Sequence, residues 1–366
     1  MEVIMCCLKK ISIYAFVLLM AFYGGSRQSY AEEFPSLYRG IRPLGMGNAF
    51  ITVADDENTL FYNPAGLNDV QGFSGVEILN PLIEFSQVGL DAYNDFKDID
   101  SNNVTEVTDL LGNYIGERLS LRTSLYPNIL FHNFGIGALG QISFSGEIRN
   151  RVNPQVNVDG KADVGGVAGI AYGFLEKKVQ AGIGLKFVQR QRFQKTYYAT
   201  DIADTNFDPS NDFSKLKKTG TGFSGDAGVK VNPEWPLRPS IGIVLQNIGD
   251  LNLDEAGEIP QQLNAGISIH PDLWIFKNTL ALDVIDLTKN VEGEDDFYKR
   301  VHMGAEIKLP YVLSLRAGAN QGYPSFGATI NLRIIKLAYA YYKEELGAVA
   351  GQKDDARHVG QIEIKF

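Results

Sequence analysis

Cysteine is nearly missing from this chain: two in 366 residues, Cys6 and Cys7, both ahead of the first apolar run. Their number excludes a disulfide-stapled scaffold, and their position excludes a lipidated cysteine at a cleavage point. Histidine is scarce too, and His132, His270, His302 and His358 lie too far apart for metal-ligand spacing, so each reads as an interior or rim side chain. Basic residues are in deficit, 34 against 43 acidic, for a net charge of -9. That excludes a nucleic-acid partner, which needs a cationic surface. Proline is limited to 14 residues and glycine has no fixed period, which excludes collagen-like and low-complexity classes. Abundant instead are apolar residues at 45%, 38 glycines, 21 Phe and 17 Tyr, the composition of a large, ordered, β-rich chain.

The first thirty residues read as an export signal. Lys9 and Lys10 precede the apolar run Ile11 to Tyr23, which ends at Gly24-Gly25, and Ser29-Tyr30-Ala31 places small residues where a signal peptidase inspects them. Cleavage is expected after Ala31, giving a mature chain of 335 residues with net charge -11 and no cysteine. No later stretch approaches the roughly 18 consecutive apolar residues of a membrane-spanning helix.

From about residue 122, period-two alternation dominates. Val301, Met303, Ala305, Ile307 and Leu309 share one face, with His302, Gly304, Glu306 and Lys308 on the other; the pattern repeats over 312-320, 326-333 and 179-187. Strands are expected near 73-86, 122-132, 135-149, 161-174, 178-199, 222-232, 239-247, 262-270, 278-287, 299-309, 312-320, 324-333, 336-344 and 358-366, which makes fourteen. Tight connections (133-134, 175-177, 310-311, 334-335) alternate with long polar ones (87-121, 200-221, 288-298, 345-357), so one end carries turns and the other loops. Outer-membrane barrels segregate their connections in this way. Energy decides the orientation: Arg316, Arg333, Lys308 or Lys186 facing lipid at mid-depth would cost roughly 2-4 kcal/mol each, so the apolar faces meet lipid and the charged, Gly-rich faces line the lumen. Ile362, Ile364 and Phe366 end the chain on the outward face. The sheet must close, because an open edge cannot be satisfied in hydrocarbon. The expected class is an all-β, fourteen-stranded antiparallel transmembrane barrel.

Residues 32-72 do not read as a barrel strand. They hold Arg39-Gly40-Ile41-Arg42-Pro43-Leu44-Gly45-Met46-Gly47-Asn48-Ala49-Phe50, Ala54-Asp55-Asp56 and Tyr62-Asn63-Pro64-Ala65-Gly66-Leu67. The glycines permit close backbone approaches and Asn-Pro marks a turn. A fourteen-stranded lumen would otherwise be wide and wet, so this segment is expected to plug it.

Local chemistry is sparse. Gly135-Ile136-Gly137-Ala138-Leu139-Gly140 matches a dinucleotide fingerprint, but an alternating strand follows where a helix is required, so the glycines read as small lumen residues. Asp98, Asp100, Asn102 and Asp109 have calcium-loop spacing, yet Asn103 stands where glycine is needed. Val104 to Leu119 fits an amphipathic helix over the barrel mouth, and 292-296 is an acidic loop tip. Nothing points to an enzyme, a metal or a cofactor.

The three motifs of residues 44-67 resemble the N-terminal signature of the FadL family of outer-membrane long-chain fatty acid transporters and of its PorV-group relatives. The resemblance implies a fourteen-stranded barrel in the outer membrane of a Gram-negative-type bacterium, with a lumenal hatch to which Gly45, Gly47, Asn48, Asp55, Asp56, Asn63, Pro64 and Ala65 belong. It implies passive uptake of a hydrophobic small molecule, beside Phe50 or Phe61, and lateral exit at a kinked strand, expected here as the third, 135-149. The mature chain is shorter than typical family members, and its loops show no obvious apolar helical pair for a capture groove. A PorV-like scaffold holding a secreted protein at its external loops is the alternative; outer-membrane lipid is a partner under both.

Overall fold

A computed structural model describes residues 33-365, apart from 205, 274-275, 292-295, 311 and 333. The leader and its cleavage point, most of the acidic loop tip, Arg333 and Phe366 lie outside the described residues.

Fourteen antiparallel crossings form the wall. They are β1 (Phe73–Leu79, resumed as Leu82–Ser86), β2 (Arg118–Leu125, resumed as Asn128–Phe131), β3 (Phe134–Arg149), β4 (Gln155–Phe174), β5 (Val179–Tyr198), β6 (Lys218–Val231) and β7 (Ser240–Ile248), and then β8 (Gln262–Ile269, resumed as Asp272–Leu273), β9 (Phe276–Val284), β10 (Val301–Lys308), β11 (Leu313–Asn320), β12 (Tyr323–Asn331), β13 (Ile335–Glu345) and β14 (Asp354–Lys365). Each pairs with the next, and β14 returns to β1 over Gln361↔Leu82 to Arg357↔Ser86, which closes the barrel. Closure leaves no open edge, as a strand protein in hydrocarbon requires.

The alternation resolves into two surfaces. Ile183, Leu185, Phe187 and Phe223 point outward, Leu185 being 67% exposed, whereas Lys186 and Arg190 between them are buried. Ile307, Leu315, Phe326 and Ile362 likewise face out, and Glu306 and Arg316 face in. Charged side chains therefore turn away from the apolar belt, in the direction set by the cost of exposing them to lipid.

Three expectations need correction. The helix expected over 104-119 ends at Asn113, because Arg118 already pairs with Glu147 on β3. A second helix, Gln87–Phe96, precedes it, capped where the Ser86 hydroxyl accepts from the Gly89 N–H at 3.1 Å. The first long loop therefore does carry a helical pair. Gln87–Phe96 buries no residue and leaves Leu90, Tyr93 and Phe96 exposed, whereas Val107, Leu110 and Leu111 of Val104–Asn113 are buried.

The third strand is not itself interrupted: β3 keeps one register with β4 from Phe134↔Ile170 to Arg149↔Gln155, and its ladder with β2 breaks between Leu125↔Gly140 and Asn128↔Gly137. The interruptions lie in the two preceding strands, at Asn80-Pro81 in β1 and Tyr126-Pro127 in β2, where proline supplies no ladder N–H. The Asn80 side chain repairs the gap, donating to the Tyr126 carbonyl at 2.5 Å and accepting from the Tyr126 N–H at 2.7 Å.

The residues with calcium-loop spacing, for which no site was expected, lie in local turns and a helix. Asp100 Oδ1 accepts from the Asn102 N–H at 3.0 Å, Asn103 caps the following helix, and Asp109 lies within that helix.

Candidate functional site in the barrel interior

Residues 34-70 lie against the inner wall, and their own sequence explains their shape. Gly40 precedes a five-residue helix, Ile41–Gly45; Gly47 (φ 61°) and Asn48 (φ 66°) then turn the chain through left-handed conformations. Asn63 caps the 3-10 turn Pro64–Asn68: its Oδ1 accepts from the Ala65 N–H at 3.1 Å while its Nδ2 donates to the Ile51 carbonyl at 3.1 Å. Pro64 occupies the first turn, where a missing N–H costs nothing.

Glycines of the wall receive this segment. A Cβ on Gly182 would stand 2.4 Å from the Pro64 carbonyl carbon, and one on Gly228 would stand 2.0 Å from Asn63 Oδ1. Gly318 and Gly304 make room for Met46 and Gly47 in the same way, and Gly45 lies against Gly327. Gly135 admits Leu60 and Leu67, and Gly137 admits the Tyr126 ring, so these two fingerprint-like glycines are packing residues, whereas Gly140 meets nothing within 4 Å.

Charge anchors the segment at several points. Arg42 is clasped by Glu306 through two bonds of 2.9 and 2.7 Å, reaches Asp56 at 2.7 Å and bonds to Asp55. Arg316 reaches the same Glu306 at 2.7 Å, and Lys308 lies 3.3 Å from it. Burial is the largest influence on the Asp55 carboxyl and raises it, but the Arg42 and Lys308 charges and the Arg42 hydrogen bond together outweigh it and the net shift is downward. Glu57 goes the other way: burial, then the neighbouring Asp56 and Glu77 charges, push its carboxyl well above the ordinary range.

Elsewhere, Arg39 donates to Glu344 at 2.9 Å and bonds to Glu33, which accepts from Arg357 at 2.7 Å. Asp69 takes Lys230 and Gln180, each at 2.6 Å. Asp283 accepts from the backbone N–H groups of Phe50 and Ile51, at 2.5 and 2.8 Å. Asn48 accepts from the Tyr62 hydroxyl at 2.5 Å, and the His302 ring bonds to the Gly47 carbonyl at 2.9 Å.

Beside these anchors lies a cavity of about 70 Å³. Phe34, Tyr38, Ile51, Phe61 and Tyr62 supply its apolar lining; Gln246, Asn264, His302 and Glu344 supply the polar one. Phe61 continues into an aromatic stack, 4.8 Å from the Tyr38 ring and 5.0 Å from that of Tyr126, the residue at the β2 interruption. Phe50 does not line the cavity. It packs beneath the Arg42 guanidinium, 5.0 Å from its ring centre, and against Tyr62.

Every residue expected in the hatch thus lies in the lumenal segment, and of the two phenylalanines of one apolar cluster Phe61 lines the cavity and Phe50 does not. The partners that sequence reading missed are Arg39, Arg42, Asp69, Asp283, His302, Glu306 and Arg357. Their signal was present, as charged residues on inward strand faces and two arginines in the opening motif, but nothing local says which meets which. The sole cluster of three acidic ligands found among the described residues is buried Glu57, Glu77 and Glu363, where the Lys336 ammonium already lies 2.6 Å from Glu363.

Comparison at the sequence level gives no matching family model and no matching curated protein. Solved structures do match. The TodX deltaS2S3 mutant monoaromatic hydrocarbon channel superposes with a TM-score of 0.52 at 12% identity, over 90% of this chain and 99% of that one. A Pseudomonas aeruginosa FadL homologue gives 0.50 at 9% identity, over 92% and 99%. With its apolar belt, closed wall and occupied lumen, the chain has the outer-membrane barrel fold of the FadL-type channels.

Proposed function

We propose that this barrel is a passive channel for hydrophobic small molecules, with residues 33-72 as its gate. The observation that carries the reading is the stoppered lumen. The segment is held by ion pairs and hydrogen bonds that can reform, and it borders a cavity whose aromatic side leads through Phe61 to Tyr126. TodX is described as a monoaromatic hydrocarbon channel, and a small hydrophobic molecule is the class we carry to this chain.

A long fatty chain would gain roughly 0.8 kcal/mol per buried CH₂ and would be trapped by a single deep site. A cavity of 70 Å³ holds only part of such a chain, which favours passage through a series of weak sites. Exit would run sideways past Tyr126, where Asn80 stands in for the ladder bonds of Pro81 and Pro127, and would spare an apolar solute a return to water.

Uptake of toluene and of a long-chain fatty acid, in cells stripped of other hydrophobe transporters, tests this. Expression of the parent raises uptake, Asn63→Ala and Phe61→Ala change it, and uptake no greater than in cells without the barrel rules the channel role out.

A further inference from the structure

The connection from β7 to β8, residues 249-261, lies at the end carrying the long loops, since the short connections from β6 to β7 (232-239) and from β8 to β9 (after Leu273) flank it at the other end. It turns inward. Leu251, Leu253, Ala256 and Ile259 are each at most 1% exposed and belong to the same apolar cluster as Tyr38, Phe50 and Phe61, whereas Asp254, Glu255 and Glu258 face solvent. The loop has its own internal order: Leu251 pairs with Ile259, and the Leu253 N–H donates to the Gly257 carbonyl at 2.9 Å.

The wall is shaped to receive it. On the inward face of β6, a Cβ on Gly220 would lie 1.6 Å from the Leu253 carbonyl oxygen, and one on Gly222 would lie 2.3 Å from that of Asn252. Glycine inside a strand weakens it, and here it allows another backbone to lie against the wall. Val188 on β5, the cross-strand partner of Gly222, is 1% exposed beside this seat.

We propose that residues 249-261 are a second, external seal, and that Leu251, Leu253, Ala256 and Ile259 form the apolar constriction a solute displaces on entry, so that the outer mouth itself selects for hydrophobic solutes. The selectivity rests on the channel reading; the seal does not. Acids on the solvent face keep the loop wet outside, and an apolar solute can replace the loop's own contacts with the barrel interior, which a hydrated ion cannot.

The mature chain has no cysteine, so Val188→Cys creates a single thiol beneath the loop. Its reaction with a membrane-impermeant maleimide is measured in vesicles holding the otherwise unchanged barrel, then in combination with Leu253→Ser plus Ile259→Ser, with Gly222→Leu, or with 251-259 replaced by Gly and Ser. Three routes to the same opening guard against one variant failing to fold, which gel mobility without heating reports.

The seal predicts slow labelling in the first protein and labelling roughly tenfold faster or more in the folded variants, since local opening then governs access. Equal rates overturn it. Toluene uptake on the same proteins separates the two ideas: faster labelling with no uptake by any protein defeats the channel and leaves the seal, whereas uptake with unchanged labelling defeats the seal alone.

Discussion

Arg42 near the start of the chain and Glu306 on β10, 264 positions later, are joined by two parallel hydrogen bonds of 2.9 and 2.7 Å. Two-point contact of this kind fixes direction as well as distance. The pair also shares its charges, since Glu306 serves Arg316 and Lys308, and Arg42 serves Asp55 and Asp56.

Removing one partner of a buried pair leaves the other uncompensated, at a cost of about 3-5 kcal/mol. Glu306→Ala strands Arg316 with the Thr329 hydroxyl and leaves Arg42 to Asp55 and Asp56, whereas Arg42→Ala leaves Glu306 with Arg316 and Lys308. The expected order of destabilisation is therefore Glu306→Ala above Arg42→Ala, read as melting in detergent and as protease cleavage within 33-72. Melting and cleavage unchanged in both variants would show that the segment is not held by this cluster.

The seat of the 3-10 turn predicts a steric effect. Gly182→Ala puts a methyl into the Pro64 carbonyl, which is backbone and cannot swing away; overpacking of this kind costs typically about 1-3 kcal/mol. Gly360→Ala meets nothing within 4 Å and serves as the control. Melting should fall for the first and hold for the second.

Neighbouring positions on β5 test the orientation. Leu185→Arg places a charge on the lipid face and is expected to cost roughly 2-4 kcal/mol near mid-depth in vesicle refolding. Lys186→Met leaves lipid contacts intact and instead strands Asp226, 2.7 Å away in the parent, so its cost persists in detergent as well as in vesicles.

Glu57 supplies a pH dependence. Its folded carboxyl titrates above its unfolded value, chiefly through burial and then through Asp56 and Glu77, so folding holds the proton that unfolding releases. Stability from this group is full below the unfolded value, about pH 4.3, and is lost as pH rises toward the folded value. Glu57→Gln removes that loss: its melting temperature should exceed the parent's at neutral pH and converge with it near pH 4. A constant gap across that range would assign the effect to packing instead.

Much of the wall was legible because its signal is local. Alternation over 301-309 or 179-187 shows which side chains share a face, and the cost of a charge in lipid shows which face is outside. The fourteen crossings follow with boundaries mostly within a few residues, although β4 begins six residues before the expected 161. The lateral interruption was misplaced because it depends on neighbours: β3 has no proline to break it, and Asn80 matters only because Tyr126 faces it across the ladder.

By itself, the sequence determined the barrel class, the direction each strand face points and the segment that does not belong to the wall, since each follows from short-range periodicity and a transfer cost. Only the tertiary structure decided that Arg42 meets Glu306, that Asp69 meets Lys230, that Phe61 borders the cavity while Phe50 does not, and that the β7–β8 loop folds inward. Charges and glycines on an inward face are compatible with many partners; closing the sheet selects one, by bringing chain positions hundreds of residues apart into a single enclosed volume.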